Sequence, residues 1–150
     1  VNWTLAELLP HAGNMILLDE LMQCDDESVS ARWTVKPCLL SDHDGHLPAW
    51  NGLELMAQSV AVWAGVRAKR AGVPIELGFL IGTRRYTCNV PYFPNGTELH
   101  IHGRCSLEDS SGLGVFECTL TGPEIHAEAR LNVFRPPQVD AYLYEEEITA

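Results

Sequence analysis

No stretch of the 150 residues reaches the roughly eighteen apolar positions that a membrane-spanning helix needs, so no span is expected. Basic residues are scarce: 10 Lys and Arg stand against 20 Asp and Glu, for a formal net charge of -10, which argues against a general nucleic-acid binder. Cys24, Cys38, Cys88, Cys105 and Cys118 are odd in number and form no Cys-x-x-Cys. They read as small buried apolar residues of a reducing compartment, and the cytoplasm is the expected location. The first residues carry Trp3, Glu7 and Pro10 instead of a basic start and an apolar run, so no secretory signal is visible. Gly-x-Ser-x-Gly, a phosphate-cradling glycine loop and a nucleotide fingerprint are all missing. There is no repeat, no disordered signature and no composition break, which predicts a single domain over 1–150 with one core. From about 136, Pro136-Pro137 and Glu145-Glu146-Glu147 predict a loosely docked tail.

What is present orders itself around one long helix. Thr4-Leu5-Ala6-Glu7 has capping-box spacing and predicts a short helix ending before Pro10. Val29, Ala31, Trp33 and Val35 alternate as a strand does, and the acidic turn Asp25-Asp26-Glu27 predicts that residues 15–24 form most of the strand before it. Residues 51–71 predict a helix with Asn51 as N-cap, ending on Arg67, Lys69 and Arg70 ahead of Gly72 and Pro74. Leu53, Met56, Val60 and Ala64 form one stripe, while Leu55, Val62, Trp63 and Val66 fill other faces, so the helix is expected to be buried nearly all round. Four more strands follow, with turns at 93–96, 109–112 and 121–123. The fold class is α+β: one helix wrapped by a curved antiparallel sheet, whose free edge favours pairing with a second sheet.

Three groups of residues compete for a chemical role. His100 and His102 share one strand face, but no third ligand is spaced with them; a solvated face accounts for both. "DHDGH" (42–46) crowds His43 and His46 with carboxylates, a pattern that also arises from turn formation, and no metal site is assigned. Glu54 lies in the first turn of the buried helix, one turn ahead of Gln58. A first-turn carboxylate is favoured by the helix dipole alone. Burial would also raise its pKa toward the range of a general acid or base, and the amides near Trp50, Asn51 and Gly52 would favour an anion beside it. Such a pairing suits chemistry on a thioester carbonyl. Arg67, Lys69, Arg70, Arg84 and Arg85 fall in a window whose only acid is Glu76. They read either as a compensated helix end with a solvated strand face, or as a landing patch for an anionic partner.

"LLPHAGNMILLDEL" (8–21), "LELMAQS" (53–59) and "GTRRYTCNVPYFPNGTELHI" (82–101) resemble, in order, the opening, helix start and strand pair of the 3-hydroxyacyl-carrier-protein dehydratases. "LPAWNGLELMAQ" with "GFLIGTRRY" looks closest to the dehydratase-like proteins of aryl polyene pigment clusters. The resemblance implies a hotdog fold, a homodimer or a heterodimer with a homologous hotdog protein, and a site at the interface of the two protomers. It implies β-elimination of water from a 3-hydroxyacyl thioester, with no cofactor beyond the phosphopantetheine or coenzyme A that carries the substrate. Glu54 matches the family's helix carboxylate, the acid. "GHLPA" echoes the motif that holds its histidine, which would make His46, or His43, the base. Registered on the helix instead, the histidine position falls on Leu40, and the histidine is absent. The resemblance further implies an oxyanion site near Trp50 and Gly52, Phe79 and Leu80 lining an acyl tunnel, and an acyl carrier protein or acyl-CoA docking on the basic patch. The alternatives are thioester hydrolysis, with Glu54 activating water, and a non-catalytic subunit that completes a heterodimer.

Overall fold

The computed structural model describes residues 3–9, 15–75 and 79–134, with the side chains of Phe79, Leu80, Ile81 and Arg84 outside that description. Thr4 opens α1 (Leu5–Leu8) with the capping box its sequence predicts: its hydroxyl accepts from the Glu7 amide at 3.2 Å, and the Glu7 carboxylate accepts from the Thr4 amide at 3.3 Å. β1 (Glu20–Cys24) and β2 (Ser28–Thr34) form the expected hairpin. The strand predicted over 15–24 occupies only its second half. Farther upstream, the Leu17 amide and the Met15 carbonyl are bonded to the side chain of Gln58 instead of a neighbouring strand, so the ladder cannot start there.

β3 (Leu47–Pro48) leads through a 3-10 turn, Ala49–Asn51, into α2 (Gly52–Ala71). Asn51 occupies the N-cap position the sequence predicts, but its side chain makes no capping bond. It already has helical backbone angles, and its amide donates to the carbonyls of Pro48 (3.1 Å) and Leu40 (3.4 Å). The far end closes as expected: Gly72 takes a left-handed φ of 69°, which glycine tolerates, and the Val73 amide reaches back to the Ala68 carbonyl at 3.0 Å. Leu55, Met56, Val60, Val62, Trp63 and Val66 are buried. Each such side chain contributes roughly 1.5–3 kcal/mol of transfer free energy. α1 crosses α2 at Gly65, where a Cβ would run into the Leu8 carbonyl.

β4 (Phe79–Cys88), β5 (Tyr92–Phe93), β6 (Glu98–Glu108), β7 (Leu113–Gly122) and β8 (Ile125–Phe134) follow. Six strands make one antiparallel sheet in the order β1-β2-β6-β7-β8-β4, and among the described residues β1 and β4 are its edges. Val29, Ala31, Trp33, Leu99, Ile101, Phe116, Leu120 and Leu131 are buried in the core that α2 fills. His100, His102, His126, Glu128 and Arg130 are exposed between them, as period-two alternation requires. The ribbon formed by β3 and β5 has no signal in the sequence, since two residues are too few to show a period. No helix of the described residues is long and apolar enough to cross a membrane.

Asp25, Asp42 and Asp109 organise three turns by accepting backbone amides, for example from Ser28 at 2.7 Å and from His46 at 2.9 Å. The turn donors hold all three carboxyls below the ordinary aspartate range: backbone amides lead for Asp25 and Asp42, and the Ser111 hydroxyl for Asp109. A depressed native pKa stabilises the fold above the unfolded value, about pH 4, and that contribution is lost as pH falls through the native values. Stability is therefore expected to hold near neutrality and fall below about pH 4. Asn replacements of the three aspartates should flatten that acid limb in a urea titration repeated at several pH values.

Candidate active site at the start of the long helix

Glu54, part-buried, projects from the first turn of α2. One turn on, Gln58 has no exposed surface, and its hydrogen bonds serve this corner. Its Nε2 donates to Glu54 Oε1 at 3.1 Å and to the Met15 carbonyl at 2.7 Å, and its Oε1 accepts from the Leu17 amide at 2.9 Å. The (i, i+4) spacing puts both side chains on one helix face. Gln58 thereby locates the carboxylate and pins the strand-free segment 15–17 over it. Among the described residues, Glu54 is the only ionisable one lining a cavity of about 120 Å³ whose other described walls are Met15, Leu17, Leu39 and Leu40. Met15 and Leu39 are 42% and 63% exposed, so the apolar lip reaches the surface.

Leu40, where registration on the helix puts the family's histidine, thus lines the same cavity as Glu54 and carries no exchangeable proton. His43 and His46 stand elsewhere in the protomer. The side chain of His43 is 91% exposed and 3.5 Å from Asp44, and the exposed His46 ring meets Tyr92 edge-on at 5.8 Å. Asp42 shapes the loop that carries them, accepting from the amides of Asp44 at 3.0 Å and His46 at 2.9 Å. At the helix start, Trp50 is 66% exposed, and the Gly52 amide donates to the Ala49 and Trp50 carbonyls of the 3-10 turn. The Ala49 amide donates to the Pro91 carbonyl at 2.9 Å, and the Tyr86 hydroxyl donates to the Ala49 carbonyl. The backbone of Phe79 and Leu80 opens β4, while their side chains, like the Pro10-His11 pair and the tail after 134, lie outside the described residues. Met15, Leu17, Leu39 and Tyr86 carry no local signal; long-range contacts alone bring them here.

The basic residues divide. Arg67 lies 4.6 Å from the Trp63 ring centroid and forks onto Glu108 at 2.8 and 3.0 Å, so part of its charge is compensated. Lys69 and Arg70 are exposed in the last turn of α2. Arg85 is exposed on the opposite side of the sheet, in a depression shared with Glu117, Thr119, Glu128 and Arg130. Among the described residues no cluster of three His, Cys, Asp or Glu could hold a metal ion. A second cavity, of about 200 Å³, lies beside Val60, Trp63, Ala64 and Phe116. Its two carboxylates serve the structure, since Glu108 pairs with Arg67 and Asp109 holds its own turn. Of the two cavities, the one that sets Glu54 in an apolar wall is the better candidate for chemistry.

The profile of the ApeP-like family, described as ApeP dehydratase, matches residues 3–144. The chain belongs to the ApeP-like dehydratase family. Its structure is similar to the dehydratase heterocomplex ApeI:P from Xenorhabdus doucetiae, with 30% identity and a TM-score of 0.85 over 96% of this chain and 98% of that one. More distant likenesses share the fold alone. A hypothetical thioesterase with coenzyme A from Streptococcus pneumoniae gives 16% identity and a TM-score of 0.56 over 77% and 83% of the two chains. The PaaI protein of the Escherichia coli phenylacetic acid degradation operon gives 13% and 0.59 over 77% and 82%. No curated protein matches the sequence. The resemblance read from residues 8–21, 53–59 and 82–101 therefore names the right family, and the long helix against an antiparallel sheet is the hotdog arrangement. As an ApeP-like protein the chain is a dehydratase or a dehydratase-like subunit.

Proposed function

We propose that Glu54 is the proton-transferring carboxylate of a 3-hydroxyacyl-thioester dehydratase, and that the imidazole it works with comes from a second, homologous hotdog subunit. The observation that carries this reading is the Glu54 cavity: a carboxylate held by Gln58 in an apolar wall, with Leu40 where the base would stand. In the elimination, a base takes the α proton, the Cβ–OH bond breaks as Glu54 protonates the leaving hydroxyl, and a conjugated double bond and water result. The enolate oxygen needs N–H donors near Trp50 and Asn51, which open the helix. The ApeI:P match is itself a heterocomplex. The exposed Met15, Leu39, Trp50 and Tyr92 form apolar surface of the kind that a partner buries.

The test follows enoyl absorbance and free thiol separately, with the chain alone and with its homologue. Enoyl product only in the mixture, lost in Glu54→Gln, supports the reading. Enoyl product from the chain alone, lost in His46→Ala, would make the imidazole its own. Hydrolysis also finds support, because Glu54 is the one ionisable group among the described residues of its cavity and the fold occurs in a protein described as a hypothetical thioesterase. Thiol released without enoyl would decide for it.

Delivery on an acidic carrier protein fits the exposed Lys69 and Arg70 on a chain of net charge -10. Lys69→Glu with Arg70→Glu is expected to weaken carrier binding by about tenfold at low salt, with the difference shrinking in 0.5 M salt. Unchanged carrier binding at low salt would remove this patch from the proposal.

A further inference from the structure

We infer that Tyr86 is a positioning residue for the reacting end of α2, acting through the Ala49–Gly52 turn. Three features converge on that turn. First, β4 is irregular where it pairs with β8: the register shifts between Arg84 and Thr87, and Arg85 takes a φ of 59°, a left-handed angle that non-glycine residues seldom adopt. A bulge of this kind re-aims the next side chain, and here it brings Tyr86 to the helix start. Second, the Tyr86 hydroxyl donates to the Ala49 carbonyl, which also accepts from the Gly52 amide. Third, a Cβ on Gly52 would collide with the Tyr86 hydroxyl and force it aside, while only touching the buried Phe93 ring at 3.4 Å.

The turn so clamped carries Asn51, whose amide holds the Leu40 carbonyl, and it leads two residues later to Glu54. Both sides of the cavity, Leu40 and Glu54, therefore depend on its orientation. Burial pushes the phenol well above its ordinary range, with the Cys88 thiol adding to the shift, so the hydroxyl stays a donor throughout the working pH range. A misplacement of even 1 Å can cost a hundredfold in rate. The bulge at a sheet edge thus has a use beyond ending a ladder.

This inference rests on the dehydratase reading, and the experiment separates the two. In the active assembly, Tyr86→Phe is expected to lower kcat about tenfold or more while KM stays within about twofold. Gly52→Ala should lower kcat similarly by displacing the hydroxyl. Because both act on one contact, the double variant should be no slower than Gly52→Ala alone. Amide hydrogen exchange, which needs no turnover, should accelerate in Tyr86→Phe over residues 49–54 and nowhere else. Additive losses, or exchange raised across the whole chain, would make Tyr86 an ordinary packing residue and overturn the inference, as would unchanged kcat and exchange. If the wild-type assembly makes no enoyl product, the dehydratase reading fails, and the exchange measurement alone decides whether Tyr86 holds the turn.

Discussion

Glu54→Gln is expected to lower enoyl formation by about 10²–10⁴-fold while leaving the fold intact. Glutamine has the same shape, and its carbonyl oxygen can still accept from Gln58 Nε2, which stands 3.1 Å from Oε1. What is lost is the acidic proton that the elimination needs. An amide cannot protonate a leaving hydroxyl. The measurement is the initial rate of enoyl absorbance with the homologous subunit present, beside a thermal melt of the same preparation. A full rate at unchanged stability would remove Glu54 from the chemistry. A slow enzyme that also melts far below the wild type would show that the carboxylate serves the structure instead.

The second large effect belongs to Gln58. Gln58→Leu keeps the volume but leaves the buried Leu17 amide without its acceptor and the Met15 carbonyl without its donor. An orphaned buried amide costs about 1–3 kcal/mol, and the Met15 carbonyl, nearer to solvent, adds less. A total of roughly 2–4 kcal/mol corresponds to a fall in Tm of about 5–15 °C for a domain of this size. Because the same amide locates Glu54, kcat should fall as well, even at temperatures where the variant is fully folded. Calorimetry and the enoyl assay at 10 °C separate the two effects. A variant as stable as the wild type would mean that the 15–17 segment does not depend on Gln58.

Local chemistry made much of this molecule readable. Thr4 and Glu7 announce the first helix, because a capping box is complete within four residues. The run from Gly52 to Ala71 is apolar on nearly every face and closed by Gly72, a pattern that only a buried helix satisfies. Alternation alone puts His100 and His102 on a solvated face, and they lie there. Glu54 stands out because a carboxylate set among buried helix residues needs a reason.

Other features had no local trace. Nothing in residues 15–19 distinguishes a strand from a segment tied down by Gln58, since the two ends of that bond are 43 residues apart. Tyr86 and Ala49 are separated by 37. Arg67 and Arg85 look like members of one basic cluster, yet one pairs with Glu108 beside the helix and the other emerges on the opposite side of the sheet. By itself the sequence determined the helix, the strand alternation and the family, because periodicity, caps and motifs act over a few residues. Only the tertiary structure decided what surrounds Glu54, because a side chain's neighbours are set by packing between distant segments.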